Sequence, residues 1–233
     1  MALAAVLAFA GFAALGTWQI ERRSWKLELI ARVEQRVHAA PTAAPGPERW
    51  ATVNAADDEY RHVQVTGHYL GAADSFVQAV TERGAGFWLM TPLRQADGSV
   101  VLINRGFLPS ERAAPAASEL ATPVTVTGLL RITEPGGGFL RHNDPAANRW
   151  YSRDVQAIAA ARGLGPVAPY FIDADATPGD DGAGPTGGLT VIAFHNNHLV
   201  YAITWYALSL MVAGAAWYVA RTERTGEDGG HAH

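Results

Sequence analysis

The sequence has 233 residues, a formal net charge of −4, no cysteine and three methionines. The absence of cysteine excludes a disulfide framework, a cysteine-held iron–sulfur cluster and thiolate chemistry, and the scarcity of soft sulfur ligands argues against copper carriage. Because no basic stripe is present to neutralise phosphates, we do not expect nucleic acid as a partner.

The first predicted element is a transmembrane helix over residues 1–20, a run without a charged side chain. A helix of roughly 20 apolar residues crosses the hydrocarbon core of a bilayer. A secretory signal peptide is the alternative, but this run lacks a basic n-region and exceeds the usual length of an apolar h-region. These two features favour a retained membrane anchor.

Residues 21–40 are predicted to form an amphipathic helix that extends from the membrane. Leu29, Ile30, Val33 and Val37 recur at three- and four-residue steps, with charged and polar residues between them. Prolines in the following segment, "PTAAPGP", end the helix.

Residues 41–197 are predicted to form an extramembrane α+β domain. The runs "RHVQVTGHYL", "SVVLINRGF", "VTVTGLLRI" and "PYFIDA" have the β-branched or alternating character of short strands, and turn-forming residues separate them. "LTVIAF" is a further candidate strand. One helix, Val155 to Arg162, is predicted from the capping residue Asp154 and from Gly163 at its end. Residues 177–188 are rich in glycine and are interpreted as a flexible insert.

A second transmembrane helix is predicted over residues 198–220, followed by a disordered polar tail over 221–233. The predicted fold class is therefore a membrane protein. Two transmembrane α-helices flank a soluble α+β domain, which is built on a small antiparallel β-sheet or barrel.

The histidines that precede the second span are the candidate site. His195 and His198 are three residues apart, so on a helix they share one face at the membrane surface. One interpretation is an interfacial polar cap that bridges headgroups and water. The other is axial ligation of a heme by a neutral imidazole, with arginine pairing to the propionates.

Other chemistry is sparse along the chain. Nucleophile-elbow, P-loop and dinucleotide-binding motifs are absent from the sequence. His62 and His68 are six apart and point to one face of a strand, but no third metal ligand accompanies them, so surface or core roles are favoured over a metal site.

Several stretches, in order along positions 16–206, resemble the Surfeit locus protein 1 family. They are "GTWQIERRSWKLELI", "VTGHY", "INRGFLP", "GLLRITEPGGGFLRHNDPAANRWYSRD" and "HLVYAITWY". The sequence departs from the family at Leu140 or Arg141, where a proline is frequent, and in its glycine-rich insert. Both differences concern loops.

The resemblance implies an assembly factor for cytochrome c oxidase that is not an enzyme. It would hold heme a, or stabilise the core subunit while heme a is inserted. His198 matches the histidine linked to heme a in bacterial members. Tyr201, Thr204 and Trp205 follow on the same helical face and would line a heme or contact the core subunit, or else pack the two spans together. His195 is a weaker candidate for a second ligand. No metal is expected beside heme iron at His198.

The resemblance also implies partners and a location. The partners are the oxidase core subunit and the lipid bilayer, with the enzymes that make heme a as further candidates. The domain would be periplasmic on a bacterial inner membrane, or in the intermembrane space in mitochondria. Arg22, Arg23 and Lys26 directly after the first span favour a cytoplasmic domain instead by the positive-inside rule, whereas Arg221 and Arg224 count the other way.

Two alternatives to the assembly factor remain open from the sequence. In the first alternative, the chain is a scaffold or accessory subunit of the oxidase, and His198 is an interfacial cap. The second is a membrane enzyme of heme modification, which is disfavoured because such chemistry needs several histidines within many spans.

Overall fold

The chain divides into a helical unit and a sheet unit. Met1–Arg32 and Ile192–His233 belong to the helical unit, and Val33–Val191 form the sheet unit. This division comes from a computed structural model, in which the described residues are 2–110, 122–138, 140–176, 184–190, 192 and 196–228.

The helical unit contains α1, Ala2–Val37, and α4, His198–Asp228. Each is long and apolar enough to cross a membrane. Large apolar side chains on their outer surfaces are uncovered. Leu3, Leu210 and Trp217 are between 63% and 73% exposed. Because so much uncovered apolar surface is unfavourable in water and favourable in hydrocarbon, the helices match the two predicted membrane spans.

Both helices run further than the predicted spans. Helix α1 continues without a break through the predicted amphipathic segment and ends at Val37, before Pro41. Helix α4 continues to Asp228, through residues 221–228 that were predicted to belong to the disordered polar tail. No proline interrupts those residues, and extending a formed helix costs far less than starting one. Residues 229–233 lie outside the described residues.

Helices α1 and α4 contact each other through aromatic and small residues. The rings of Phe12 and Trp205 stack with centroids 5.7 Å apart. Thr17 Oγ1 lies 3.0 Å from Tyr206 Oη. A Cβ atom on Gly16 would lie 2.8 Å from the Tyr206 ring, so glycine at this position allows the ring to approach the backbone.

Among the described residues, seven strands form one sheet. They are β1 Thr42–Ala43, β2 His62–Tyr69, β3 Ser75–Thr81, β4 Gly84–Arg94, β5 Val100–Leu108, β6 Val124–Ile132 and β7 Val167–Ala174. Their order is β1-β2-β6-β7-β5-β4-β3, and β2 also pairs with β4. That extra pairing closes five strands into a small barrel, which confirms the predicted fold class.

Two pairings in this sheet are parallel, β1 with β2 and β5 with β7. A parallel pair needs a long crossover, and β6 together with a helix lies between β5 and β7 in the sequence. That helix is α3, Val155–Ala161, capped as predicted by Asp154, whose carboxylate accepts a hydrogen bond from Ala157 N. Gly163 follows in the left-handed region, with φ of 61°.

Short helical turns complete the second unit. They are a 3-10 helix at Pro47–Thr52, the four-residue helix α2 at Ala55–Asp58 and a 3-10 turn at Gly71–Ala73.

The segment between β7 and α4 differs from its prediction. Residues 177–183 of the proposed flexible insert lie outside the described residues. Thr186 beyond them pairs with Phe107 of β5 through backbone hydrogen bonds of 2.9 and 3.0 Å. Leu189, Thr190 and Ile192 of the proposed strand "LTVIAF" have no strand conformation, and the rest of that run is not described.

Side chains that alternate along the barrel strands separate two cores. One core fills the barrel and contains Val63, Leu93, Ile103, Leu130 and Tyr170. The other packs α3 against the outside of the sheet, where Trp150 is 1% exposed. Trp150 is therefore a core residue.

Candidate functional site

His198 is the first residue of α4 and makes a hydrogen bond to α1. Its Nδ1 atom lies 2.7 Å from Oε1 of Gln19, whose side chain is itself nearly buried. An amide oxygen only accepts hydrogen bonds, so this contact is a hydrogen bond when Nδ1 carries the ring proton. In neutral imidazole, Nε2 then has an unprotonated lone pair that is able to bind a metal.

The other candidate residues on α4 have different surroundings. Tyr201, one turn beyond His198, is 55% exposed. Trp205 stacks on Phe12 of α1 and so serves helix packing. Thr204 donates a hydrogen bond to Val200 O within its own helix.

His195 lies outside the described residues. Between it and His198, Asn196 has a buried Oδ1 atom that lacks a hydrogen-bond partner among the described residues. An unpaired buried acceptor costs roughly 1–3 kcal/mol, so a donor from a ligand or a partner would be favourable here.

The residues around His198 would fit a heme, with Nε2 as the nitrogen that binds its iron. A histidine that ligates a metal through one nitrogen usually donates its other N–H to a fixed acceptor, and Gln19 provides that acceptor. Leu199, Val200 and Tyr201 present 43–65% exposed side chains beside it, which offers an apolar surface to a macrocycle. Arg22 follows Gln19 by three residues and therefore lies on the same side of α1.

A second polar cluster lies in the sheet unit, and no motif in the sequence indicates it. Its centre is the carboxylate of Asp173, which is 4% exposed. This carboxylate accepts hydrogen bonds from Asn104 at 2.8 Å, Thr190 at 2.9 Å, and Arg131 and Arg153 at 3.1 Å each. The donors come from separate strands and loops, so spacing in the sequence carried no signal of the cluster.

Glu134 completes this network by binding Arg153, with a contact of 2.5 Å to Nη2. Burial alone would raise the pKa of Glu134, but hydrogen bonds from Arg153 and the charges of Arg153 and Arg131 outweigh it, and its pKa is lowered. A cavity of about 610 Å³ lies over the cluster, lined also by Trp88. Because the guanidinium groups already have carboxylate partners, the cluster is suited to bracing the barrel.

His62 also has partners that the sequence did not indicate. Nδ1 lies 2.9 Å from Ala39 O, and Nε2 lies 2.8 Å from Asp175 Oδ2. Both nitrogens therefore face acceptors, which only the protonated ring can satisfy together. Residue 39 follows α1 and residue 175 follows β7, so this ring joins two segments of the sheet unit that are distant in the sequence.

Raising the pH should weaken this contact. Burial lowers the pKa of His62, but the hydrogen bonds to Asp175 and Ala39 and the charge of Asp175 outweigh it, so the pKa is raised in the folded state. The contribution to stability is then complete below the unfolded pKa of about 6.5 and is lost as the pH rises through the higher folded value.

We expect the free energy of unfolding of wild type to fall by up to about 1 kcal/mol between pH 6 and pH 9, relative to that of His62→Gln. Urea unfolding of the full chain in detergent at a series of pH values measures this difference. His68→Gln, on the exposed face of the same strand, is the control, and a pH-independent difference for His62→Gln would contradict the prediction.

Comparison of the sequence with known proteins identifies a family of relatives. A model of the SURF1 family matches residues 6–210. The chain is 36% identical over 218 residues to Surfeit locus protein 1 of Rattus norvegicus, covering 83% of this chain and 67% of that protein. The chain is 35% identical to Surfeit locus protein 1 of Homo sapiens, and the match covers 84% of this chain and 69% of that protein. A SURF1-like protein of Monosiga brevicollis is 38% identical, and the match covers 89% of this chain and 82% of that protein.

Proposed function

The chain belongs to the SURF1 family, and on that premise we propose that it is an assembly factor for heme a-containing cytochrome c oxidase. It holds heme a through His198, or stabilises the core subunit while heme a is inserted, and catalyses no reaction. The hydrogen bond from His198 Nδ1 to Gln19 carries this proposal, because it leaves Nε2 available beside an apolar surface.

Bound heme a would supply an iron that accepts a nitrogen ligand. His198 would provide that nitrogen, and Gln19 would keep its ring oriented. Tyr201 and its neighbours supply apolar contact. Arg22 offers a cation for a carboxylate, although its guanidinium now lies 4.1 Å from the centre of the Trp25 ring. Contacts of this kind hold a cofactor reversibly, as delivery to another protein requires.

The proposed partners are the oxidase core subunit, the bilayer and the enzymes that synthesise heme a. We place the sheet unit in the periplasm, or in the intermembrane space of a mitochondrion, following the family. The basic residues after the first span favour the opposite side, so the orientation needs its own measurement. Protease accessibility of the sheet unit in sealed inside-out and right-side-out vesicles would decide it.

A scaffold function is the second candidate, and the same hydrogen bond favours it. A side-chain contact between α1 and α4 stabilises a helix pair whether or not Nε2 binds anything. In that case the protein would remain with the mature oxidase as an accessory subunit, and His198 would only join the helices.

The deciding experiment is heme a loading of the purified protein. The full chain is co-expressed with the enzymes that make heme a, purified in mild detergent, and its reduced optical spectrum is recorded. We expect a heme a band for wild type, its loss in His198→Ala, and its retention in His68→Ala. Folding of each variant is checked by circular dichroism. A band of wild-type size in a folded His198→Ala would remove the ligand assignment, and no band in any protein would favour the scaffold.

A further inference from the structure

The contact between Gln19 and His198 does more than join two helices. We propose that Gln19 is the positioning residue that fixes the tautomer of His198, so that the proton resides on Nδ1 and the lone pair on Nε2. The consequence for heme rests on the proposed function above, whereas the tautomer itself does not.

The first support is the chemistry of the contact. Nδ1 and Oε1 are separated by 2.7 Å, at the short end of the range for an N–H···O hydrogen bond. Neutral histidine in water more often carries its proton on Nε2, so the Nδ1–H form needs a reason. A nearby acceptor in a weakly polar environment provides one, because an unmade hydrogen bond is costly there.

The second support is that α1 is held in register with α4 below the contact. Thr17 bonds Tyr206, the Tyr206 ring fits against Gly16, and Phe12 stacks on Trp205. Gln19 itself is only 9% exposed. Its amide is therefore presented to His198 by a packed pair of helices and has little freedom to turn away.

The third support is the separation of two roles along α1. Thr17 and Gln19 both bond α4, but only Gln19 bonds an imidazole. Loss of Thr17 weakens helix pairing alone. Loss of Gln19 also removes the acceptor that orients His198. Removing an outer-shell partner of a metal-binding histidine typically weakens metal affinity by about 10–100-fold.

The test starts from the ligand-free full chain in detergent micelles, labelled with nitrogen-15 at histidine. Long-range proton–nitrogen correlation spectra at pH 8.5 report which ring nitrogen carries the proton, and subtraction of the His198→Ala spectrum identifies His198 among the eight histidines. We expect the Nδ1–H form in wild type and in Thr17→Val, and a shift to the Nε2–H form in Gln19→Leu. An Nε2–H form in wild type, or an unchanged Nδ1–H form in Gln19→Leu, would overturn the proposal.

Titration with heme a then provides the second readout. We expect Gln19→Leu to bind heme a about 10–100-fold more weakly than wild type, and Thr17→Val to bind it nearly as well as wild type. Equal weakening in both variants would overturn the positioning role, because helix pairing alone would then explain it. If wild type has the expected tautomer and binds no heme a, the proposed function fails while the assignment of the tautomer to Gln19 stands.

Discussion

We expect Asp173→Asn to lower the free energy of unfolding by about 3 kcal/mol. The Asp173 carboxylate is 4% exposed and accepts hydrogen bonds from four side chains, two of them guanidinium groups. Asparagine has nearly the same volume as aspartate, but an NH₂ group replaces one of the two acceptor oxygens. That NH₂ group would then face the hydrogen-bond donors that surround Asp173. Glu134 remains beside Arg153 and limits the loss.

Urea unfolding of the full chain in detergent, followed by tryptophan fluorescence, measures this change. Asp97→Asn is the matched control, because that carboxylate lies in a solvated turn and bonds only Ser99 in the contacts described. We expect the control to change the free energy of unfolding by less than about 0.5 kcal/mol. A similar small change for Asp173→Asn would show that the cluster does not brace the barrel.

The second large effect is expected for Gly128→Ala, which we predict to cost about 3 kcal/mol. A Cβ atom on Gly128 would lie 2.1 Å from the carbonyl oxygen of Asp173, on the neighbouring strand β7. Because that atom is backbone in a paired strand, it has no rotamer by which to move away. The substitution must therefore separate β6 from β7 or distort both strands.

Gly165→Ala is the control for this prediction, because open space surrounds the position of its Cβ. The same unfolding measurement should leave Gly165→Ala close to wild type. If Gly128→Ala unfolds at the same urea concentration as Gly165→Ala, the close approach of β6 and β7 is not a constraint on the sequence.

Much of the architecture was predictable from local pattern. Charge-free runs of about 20 residues at each end have few stable solutions other than a membrane helix, so both spans followed from composition. The cap at Asp154 and the glycine at Gly163 marked a helix through chemistry that acts within a few residues. Strand β2 was visible because its inward and outward residues alternate.

The family resemblance pointed to His198, but not to what holds it. Gln19 was noticed only as part of a motif, and its contact joins residues 179 positions apart in the chain. No local period links such residues. The Asp173 cluster could not be predicted for the same reason, because Arg131 and Asn104 belong to different strands.

The sequence by itself therefore determined the membrane spans, most of the strands and the family, since these depend on composition, short-range periodicity and the order of motifs. Only the tertiary structure decided how the barrel closes, which carboxylate Arg131 and Arg153 share, and which nitrogen of His198 is engaged. Those features depend on atoms brought within about 3 Å by packing of distant segments, a distance at which hydrogen bonds and ion pairs become decisive.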